Sequence, residues 1–234
     1  MNLSLLLLYD KIEKLTYNEA WTEVPMPKII SFDYKTILNA PPSNADSKTL
    51  KELKVVADAT FNRSDAEVEK MYDIDKDLDG PFINLLSKYN LEYPQEYINV
   101  FYDVVQPVLM NVKSYWNRPR PFQLAKLLNI PISPIITNTV HTPSYPSGHT
   151  MYSKLVANIL KHTYPQIENR ILDSIVYDTA KARVIQGAHF PSDNEASILL
   201  SNYLFKNLIS KMGDAYTQNG RYKIQDSVLT KPIG

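Results

Sequence analysis

Apolar residues along most of this chain recur at helical rather than alternating spacing. In residues 47–61 they fall on one stripe made of Leu50, Leu53, Val56 and Ala57, and Ser47 stands where it would cap the helix. A second helix is predicted to start at Ser64, because Ser64 and Glu67 have the spacing of a capping box. Strand-like runs are few, so the pattern predicts an all-α protein.

The second half of the chain continues this helical pattern. Helices are predicted over residues 94–117, near 122–128, from Gly148 onward, over 166–186 and over about 192–212. Pro107 falls inside the first of these and is expected to kink or split it, because proline lacks the backbone N–H. A proline-rich, extended passage separates the second from the third and ends at Tyr145.

The ends of the chain lack this regularity. Residues 1–45 are expected to form an irregular, proline-punctuated segment packed on the core, beginning with an amphipathic core helix over the leucine run near the N-terminus. Residues 46–215 are predicted to be one helical domain, and residues 216–234 a C-terminal tail.

Composition narrows the class of protein. The 234 residues are 44% hydrophobic, enough to bury one substantial core. Lys plus Arg and Asp plus Glu both number 25, so no global field favours nucleic acid or an anionic membrane. The chain has no cysteine, which excludes disulfides, thiolate catalysis and cysteine metal sites.

Targeting signals are weak. The leucine run lacks a basic flank and a cleavage site, and charges follow at Asp10 and Lys11. No window reaches the roughly 18 to 20 uncharged apolar residues that a spanning helix needs. We therefore expect a soluble protein in the cytoplasm, with the periplasm left open.

The candidate chemistry lies at the breaks between predicted helices. Lys113 precedes Arg120 and Pro121 in "KSYWNRPRPF", and "SYPSGHT" contains Ser147, Gly148 and His149. Further along, "ARVIQGAHFPSD" contains Arg183, His189 and Asp193. Loop and helix junctions are the positions at which a rigid scaffold exposes functional groups.

Each of these clusters also has an ordinary structural explanation. A lysine or arginine at a helix end complements the helix dipole, and Asp193 or Ser147 would serve as a helix N-cap. His189 would equally suit the core as a satisfied buried histidine. The functional interpretation depends on the clusters meeting in space.

If they meet, they form a pocket of the size of a phosphate group. Lys113, Arg120 and Arg183 would bind the non-bridging oxygens, since guanidinium groups suit bidentate contact with oxyanions. The Oγ of Ser147 and the N–H of Gly148 would add neutral donors at a helix N-terminus.

The three motifs KxxxxxxRP, PSGH and RxxxxxHxxxD, in this order, resemble a known superfamily. It comprises type 2 phosphatidic acid phosphatases, bacterial class A non-specific acid phosphatases and vanadium haloperoxidases. "SYPSGHT" and "RVIQGAHFPSD" are most similar to the class A acid phosphatases, and the likeness extends from about residue 38 to residue 205. The resemblance implies an all-α, single-domain helical bundle of the acid phosphatase and vanadium haloperoxidase type.

The resemblance also implies catalytic roles. His189 would attack phosphorus and form a phosphohistidine, Asp193 would hold the opposite ring nitrogen, and His149 would protonate the leaving oxygen. A protonated His149 should dominate at mildly acidic pH, so activity should decline on the alkaline side. The family usually has serine where this chain has Ala182, which removes one hydroxyl donor and puts the rate in doubt.

These expectations define a metal-independent phosphomonoester hydrolase acting on small soluble phosphate esters such as nucleotides. No cofactor or metal is expected, although phosphate or vanadate would fit the site, and the partners expected are a small phosphate ester and a second copy in a homodimer. The alternatives are a vanadium-dependent haloperoxidase, a soluble lipid or diphosphate phosphatase, and a helical protein that binds phosphate without turnover.

Overall fold

The computed structural model describes residues 3–17, 24–27 and 33–212. The helices of the first half are α1 (Leu3–Glu13), α2 (Tyr34–Ile37), α3 (Ser47–Asn62), α4 (Asp65–Lys76) and α5 (Gly80–Lys88). Those of the second half are α6 (Gln95–Trp116), α7 (Pro121–Leu128), α8 (Gly148–Thr163), α9 (Asn169–Ile185) and α10 (Pro191–Met212), with a short 3-10 helix at Asn138–Val140. Within these ranges no strand occurs, and the predicted all-α fold is confirmed.

The core lies around α8, which packs against α6, α9 and α10. Its largest cluster includes fully buried side chains from α5, α6, α8, α9 and α10, among them Phe82, Phe101, Met151, Leu172 and Leu204. Burying each such side chain stabilises the fold by about 1.5–3 kcal/mol. The motif residues lie near the ends of these helices and in the loops that join them.

Pro107 does not split its helix, contrary to one expectation from the sequence. The helix α6 continues from Gln95 to Trp116 through the proline. Its neighbours Val104, Val105 and Val108 are buried in the core cluster. Burying them offsets the cost of about 3 kcal/mol for proline inside a helix.

Helix starts agree with the sequence in one case and differ in another. Ser64 and Glu67 form the predicted capping box of α4. The cap of α3 is Asp46 rather than Ser47, because the Asp46 carboxylate accepts a hydrogen bond of 2.7 Å from the N–H of Lys48. An ionised carboxylate is a stronger acceptor than a hydroxyl and complements the helix dipole.

The N-terminal segment corrects the sequence interpretation in two ways. It contains α2 as well as the predicted first helix, so residues 1–45 are less irregular than expected. The described part of the leucine run does not form a core stripe: Leu6, Leu7 and Leu8 are exposed, while Ile12 is buried. The predicted tail, residues 216–234, lies outside the described residues.

Helix α4 is fixed against α9 by apolar contacts and ion pairs. Met71, Ile74 and Ala182 form a small buried cluster between the two helices. On the surface, the Nζ of Lys70 lies 2.7 Å from the carboxylate of Asp178. This packing places the C-terminal end of α4 beside the end of α9 that carries Arg183.

Candidate active site

Short breaks between helices bring the motif residues to one place. Asn117 ends α6 in the left-handed conformation, and Pro121 opens α7 at the position where proline is favoured. Arg118 and Arg120 lie in the link between these helices, and both are buried. At the end of α9, Gly187 takes φ +79° and turns the chain back toward the bundle.

This turn at Gly187 positions His189. The backbone N–H of His189 donates to the carbonyl of Arg183 at 3.3 Å, which holds two motif residues together. A Cβ at residue 187 would lie 3.1 Å from the side chain of Thr60 and 3.2 Å from Pro134, so glycine meets both the φ and the space requirement. Pro191 then opens α10, and Asp193 follows in its first turn.

The ring of His189 lies between a carboxylate and a guanidinium. Its Nδ1 lies 3.3 Å from Oδ2 of Asp193, and its Nε2 lies 3.1 Å from NH1 of Arg120. Arginine can only donate, so Nε2 must accept and Nδ1 must carry the proton. Burial and the charge of Arg120 lower the pKa of His189 well below its usual value, which keeps the ring neutral. A neutral ring with a lone pair on Nε2 is the form required of a nucleophile.

Asp193 is held by more donors than the sequence indicated. Its Oδ1 accepts from NH1 of Arg118 at 2.6 Å, while its Oδ2 accepts from the backbone N–H of Phe190 at 2.9 Å and from the hydroxyl of Ser144. Despite complete burial, the charge of Arg118 and the bond with His189 hold the pKa of Asp193 well below its usual value. The carboxylate therefore stays charged and fixes the ring of His189.

Arg118 is not among the site residues that the sequence predicts. Besides Asp193, its guanidinium contacts the hydroxyl of Ser192 at 2.8 Å and lies 3.6 Å from the carboxylate of buried Glu52 on α3. It also stacks on Phe190, with 4.2 Å between the guanidinium carbon and the ring centroid. The only signal in the sequence was a second arginine in "NRPRPF", at a position that the motif leaves variable.

The three predicted cations are all buried. The Nζ of Lys113 donates to the carbonyl of Pro143. Arg120 donates to the carbonyl of Thr142 and to that of Ala188, each at 2.9 Å. These backbone contacts fix the orientation of Lys113 and Arg120 before any ligand binds, which is the property expected of an oxyanion cradle.

The cations lower one another's pKa. Burial, followed by the charge of Arg120, lowers the pKa of Lys113 well below its usual value. Burial, followed by the charge of Arg183, lowers the pKa of Arg120 to about 9. A bound dianion would relieve this repulsion, so the cluster is electrostatically suited to an anion.

Arg183 has an incomplete set of partners. One of its terminal nitrogens contacts the carboxylate of Asp75, and the other donates to the hydroxyl of Thr139 at 3.1 Å. Its Nε is buried, with no hydrogen-bond partner among the described residues. A buried donor without a partner costs about 1–3 kcal/mol, and a phosphate oxygen would satisfy it.

Ser147 and Gly148 stand at the N-terminus of α8 as predicted. The hydroxyl of Ser147 does not cap the helix; it donates to Oγ1 of Thr150 at 3.1 Å. The backbone N–H of Ser147 donates to the carbonyl of Asp193 at 3.2 Å, which joins this motif to the His189 motif. Gly148 is the first residue of α8, where backbone N–H groups have no partner within the helix.

His149 contacts a carboxylate that the sequence reasoning did not identify. Its Nε2 lies 3.1 Å from Oδ1 of Asp75 on α4. Burial and the charge of Arg183 lower its pKa to about 4, although Asp75 opposes them. The expectation that protonated His149 dominates at mildly acidic pH is therefore wrong for the free protein, because it took the usual pKa of a histidine and left out burial and the charge of Arg183.

The eight predicted site residues form one connected group. His189 contacts Arg120 and Asp193, and the charges of Arg120 and Arg183 act on Lys113. Asp75 joins Arg183 to His149, and Ser147, which precedes Gly148, is bonded to Asp193. Arg118, Glu52 and Asp75 are the additions that the structure makes.

Two other features concern the surroundings of the site. His141 is exposed and lines an open groove of about 710 Å³ with Tyr17, Phe122 and Ile136. Ala182, at the position where the resemblance implies a serine, packs in the apolar contact between α4 and α9.

Among the residues described, no helix has the length and apolar character needed to cross a membrane. In the same part of the chain, no three His, Asp or Glu side chains are grouped as metal ligands.

Comparison with known proteins matches the same part of the chain. The model of the PAP2 superfamily matches residues 98–214. The chain is 37% identical over 87 residues to the non-specific acid phosphatase of Salmonella typhi, a match covering 37% of this chain and 34% of that protein. It is 36% identical over 87 residues to the non-specific acid phosphatase of Salmonella typhimurium, with the same coverage. The match thus spans about a third of the length of these curated relatives.

Proposed function

This chain belongs to the PAP2 superfamily, whose model matches half of its length, and on that premise we propose that it is a phosphomonoester hydrolase with His189 as nucleophile. The proposed substrates are small soluble phosphate esters such as nucleotides. The supporting observation is the orientation of His189, with Nδ1 toward the Asp193 carboxylate and Nε2 toward Arg120 of the cation cluster.

The first chemical step transfers the phosphoryl group to the protein. Nε2 of His189 forms a bond to phosphorus while the bond from phosphorus to the ester oxygen breaks. His149 gives its proton to that oxygen as it leaves. Lys113, Arg120 and Arg183 neutralise the charge that spreads over the three equatorial oxygens, so this route needs no metal.

The second step returns the protein to its starting state. Water attacks phosphorus while neutral His149 takes the proton of that water, and the bond between phosphorus and Nε2 breaks. The electron pair of the broken bond returns to Nε2. Asp193 stays charged throughout and stabilises the positive charge that His189 carries when it is phosphorylated.

The pH dependence follows from the charges around His149. Since the pKa of His149 is lowered to about 4 in the free protein, kcat/KM should fall on the alkaline side from well below pH 6.5. A bound dianion offsets the positive charges nearby, so the alkaline limb of kcat should lie at higher pH than that of kcat/KM. A flat profile from pH 5 to 9 would count against the role of His149.

The test measures hydrolysis of an aryl phosphate and of a nucleoside monophosphate. Each substrate is assayed alone, with a chelator and with vanadate. The proposal predicts hydrolysis that resists the chelator and is inhibited by vanadate. His189→Gln should abolish turnover, whereas His162→Gln, which removes an exposed histidine of α8, should leave it unchanged.

Other outcomes of the same assays point to the alternatives. Phosphate binding without hydrolysis would indicate a phosphate-binding protein, and halide oxidation that requires vanadate and peroxide would indicate a haloperoxidase. Preference for a soluble diphosphate or lipid head group over nucleotides would keep the reaction and change the substrate class.

A further inference from the structure

Asp75 contacts the candidate site from an element that the three motifs do not include. It belongs to the last turn of α4, which Met71 and Ile74 anchor against Ala182 of α9. A second exposed ion pair, Lys181 with Glu67 at 2.9 Å, joins the same two helices. The position of Asp75 is therefore fixed by helix packing rather than by a loop.

The carboxylate of Asp75 receives three donors through one oxygen. Oδ1 accepts from the hydroxyl of Thr139 at 2.7 Å, lies 3.1 Å from Nε2 of His149, and contacts the guanidinium of Arg183. Its side chain is 11% exposed, so these contacts are shielded from water. In the proposed mechanism Arg183 and His149 serve the phosphoryl group and the leaving oxygen, which gives Asp75 the same partners as the substrate.

The charge balance of the cradle indicates what competition between Asp75 and phosphate would achieve. With phosphate bound, Lys113, Arg120 and Arg183 bring three positive charges to the cradle, whereas Asp193 is already paired with Arg118. A phosphate dianion carries two negative charges, and inorganic phosphate, the product, carries the same charge as the substrate. Without Asp75 the cradle would hold an excess of positive charge and would retain its product more tightly.

We propose that Asp75 is an internal competing anion, which occupies the Arg183 side of the cradle in the free protein and limits its affinity for phosphate. The inference rests on the proposed phosphate site. When the substrate binds, its phosphoryl group replaces Asp75 as the partner of Arg183. After hydrolysis, Asp75 competes with inorganic phosphate for Arg183, which favours release of the phosphate. It is a positioning residue as well, since it orients His149 through Nε2.

The same carboxylate acts on the charge of His149. The groups that face His149 are Asp75 from α4, Arg183 from α9 and Arg120 from the start of α7. The two arginines disfavour its protonated form, and Asp75 alone among them favours it. Removing the negative charge should therefore move the alkaline limb of kcat/KM to lower pH, by about one pH unit.

The test is Asp75→Asn, which keeps the size of the side chain and removes its charge. Binding of inorganic phosphate, measured by calorimetry on the full chain, should tighten by roughly tenfold. The alkaline limb of kcat/KM should shift to lower pH, and Asp75→Glu should restore both properties toward wild type. The matched control is Asp73→Asn, because Asp73 is an exposed carboxylate on the same helix.

Unchanged or weaker phosphate binding in Asp75→Asn would overturn the proposal, as would equal tightening in Asp73→Asn. If Asp75→Asn does not fold, Thr139→Val tests the same idea, because it removes the hydroxyl that donates to Asp75 and accepts from Arg183. Losing this link should weaken the hold of Asp75 on Arg183 and also tighten phosphate binding. Calorimetry needs no turnover, so a protein that binds phosphate but hydrolyses no ester would refute the proposed function and leave this comparison valid.

Discussion

Arg118→Met removes a buried cation while keeping most of the length of the side chain, and we expect it to lower stability strongly. Arg118 is 3% exposed and lies 2.6 Å from the fully buried carboxylate of Asp193 and 3.6 Å from that of Glu52. The substitution would leave two buried carboxylates without their cation.

The magnitude follows from the cost of an uncompensated buried charge. Removing one partner of a buried ion pair costs about 3–5 kcal/mol, because the remaining partner keeps its desolvation penalty. In a chain of this size, each kcal/mol lowers the melting temperature by about 2–4 °C, so the expected fall is roughly 6–20 °C. Activity should fall as well, since Asp193 would no longer be held in place beside His189.

The assay is urea denaturation followed by far-ultraviolet circular dichroism, with thermal melting as a second measure. The matched control is Lys70→Met, which removes a cation from the exposed pair with Asp178 and should cost no more than about 1 kcal/mol. Adding Glu52→Gln to Arg118→Met should cost less than the sum of the two single changes. A loss within about 1 kcal/mol of that seen in Lys70→Met would refute the reasoning.

Three further predictions concern stability and charge. Since the pKa of His149 is lowered from 6.5 to about 4, the unfolded chain binds an extra proton between these pH values, and this should lower the free energy of unfolding by about 3 kcal/mol as pH drops through this window. His189, whose pKa is also lowered, adds to this fall. Urea midpoints measure it, and His149→Gln should reduce the dependence; a wild-type curve without slope would contradict it. Gly187→Ala should cost about 1–3 kcal/mol and reduce kcat, because φ +79° and the contacts with Thr60 and Pro134 leave no relaxed place for a Cβ; an unchanged urea midpoint would argue against this. Phosphate binding at alkaline pH should take up protons, because a bound anion raises the lowered pKa of Lys113; calorimetry in two buffers of different ionisation enthalpy measures this, and proton release would contradict it.

The helices and the motif residues could be predicted because their signals are local. Apolar spacing over residues 148–163 and the Ser64 and Glu67 capping box both concern residues within a few turns of each other. The functional residues of the three motifs stand at fixed spacings, so we could expect the motifs to lie close together in the fold. The sequence alone could not demonstrate this. Pro107 was a partial failure, since a local rule gave way to burial of its neighbours.

Asp75, Arg118 and Glu52 could not be found in this way. Asp75 lies in an acidic stretch, "YDIDKDLDG", in which every carboxylate would be expected to face water. Its partner Arg183 is 108 residues away in the sequence. Glu52 stands on the helix α3 that the pattern predicts, where a single glutamate normally faces water. Only the packing of α3 and α4 on the bundle decides which acidic side chains enter the site. The lowered pKa of His149 was missed for a different reason, because burial and the charge of Arg183 cause it and the expectation took the usual pKa of a histidine.

The central claim is that His189 accepts the phosphoryl group, and trapping that intermediate tests it most directly. His149→Gln should slow attack by water, while an aryl phosphate with a good leaving group needs little help from a general acid, so the phosphorylated protein should accumulate. Alkaline quenching followed by peptide mass analysis should find one acid-labile phosphoryl group on residue 189. Hydrolysis that proceeds with no phosphorylated intermediate, or with the group on another residue, would contradict the account.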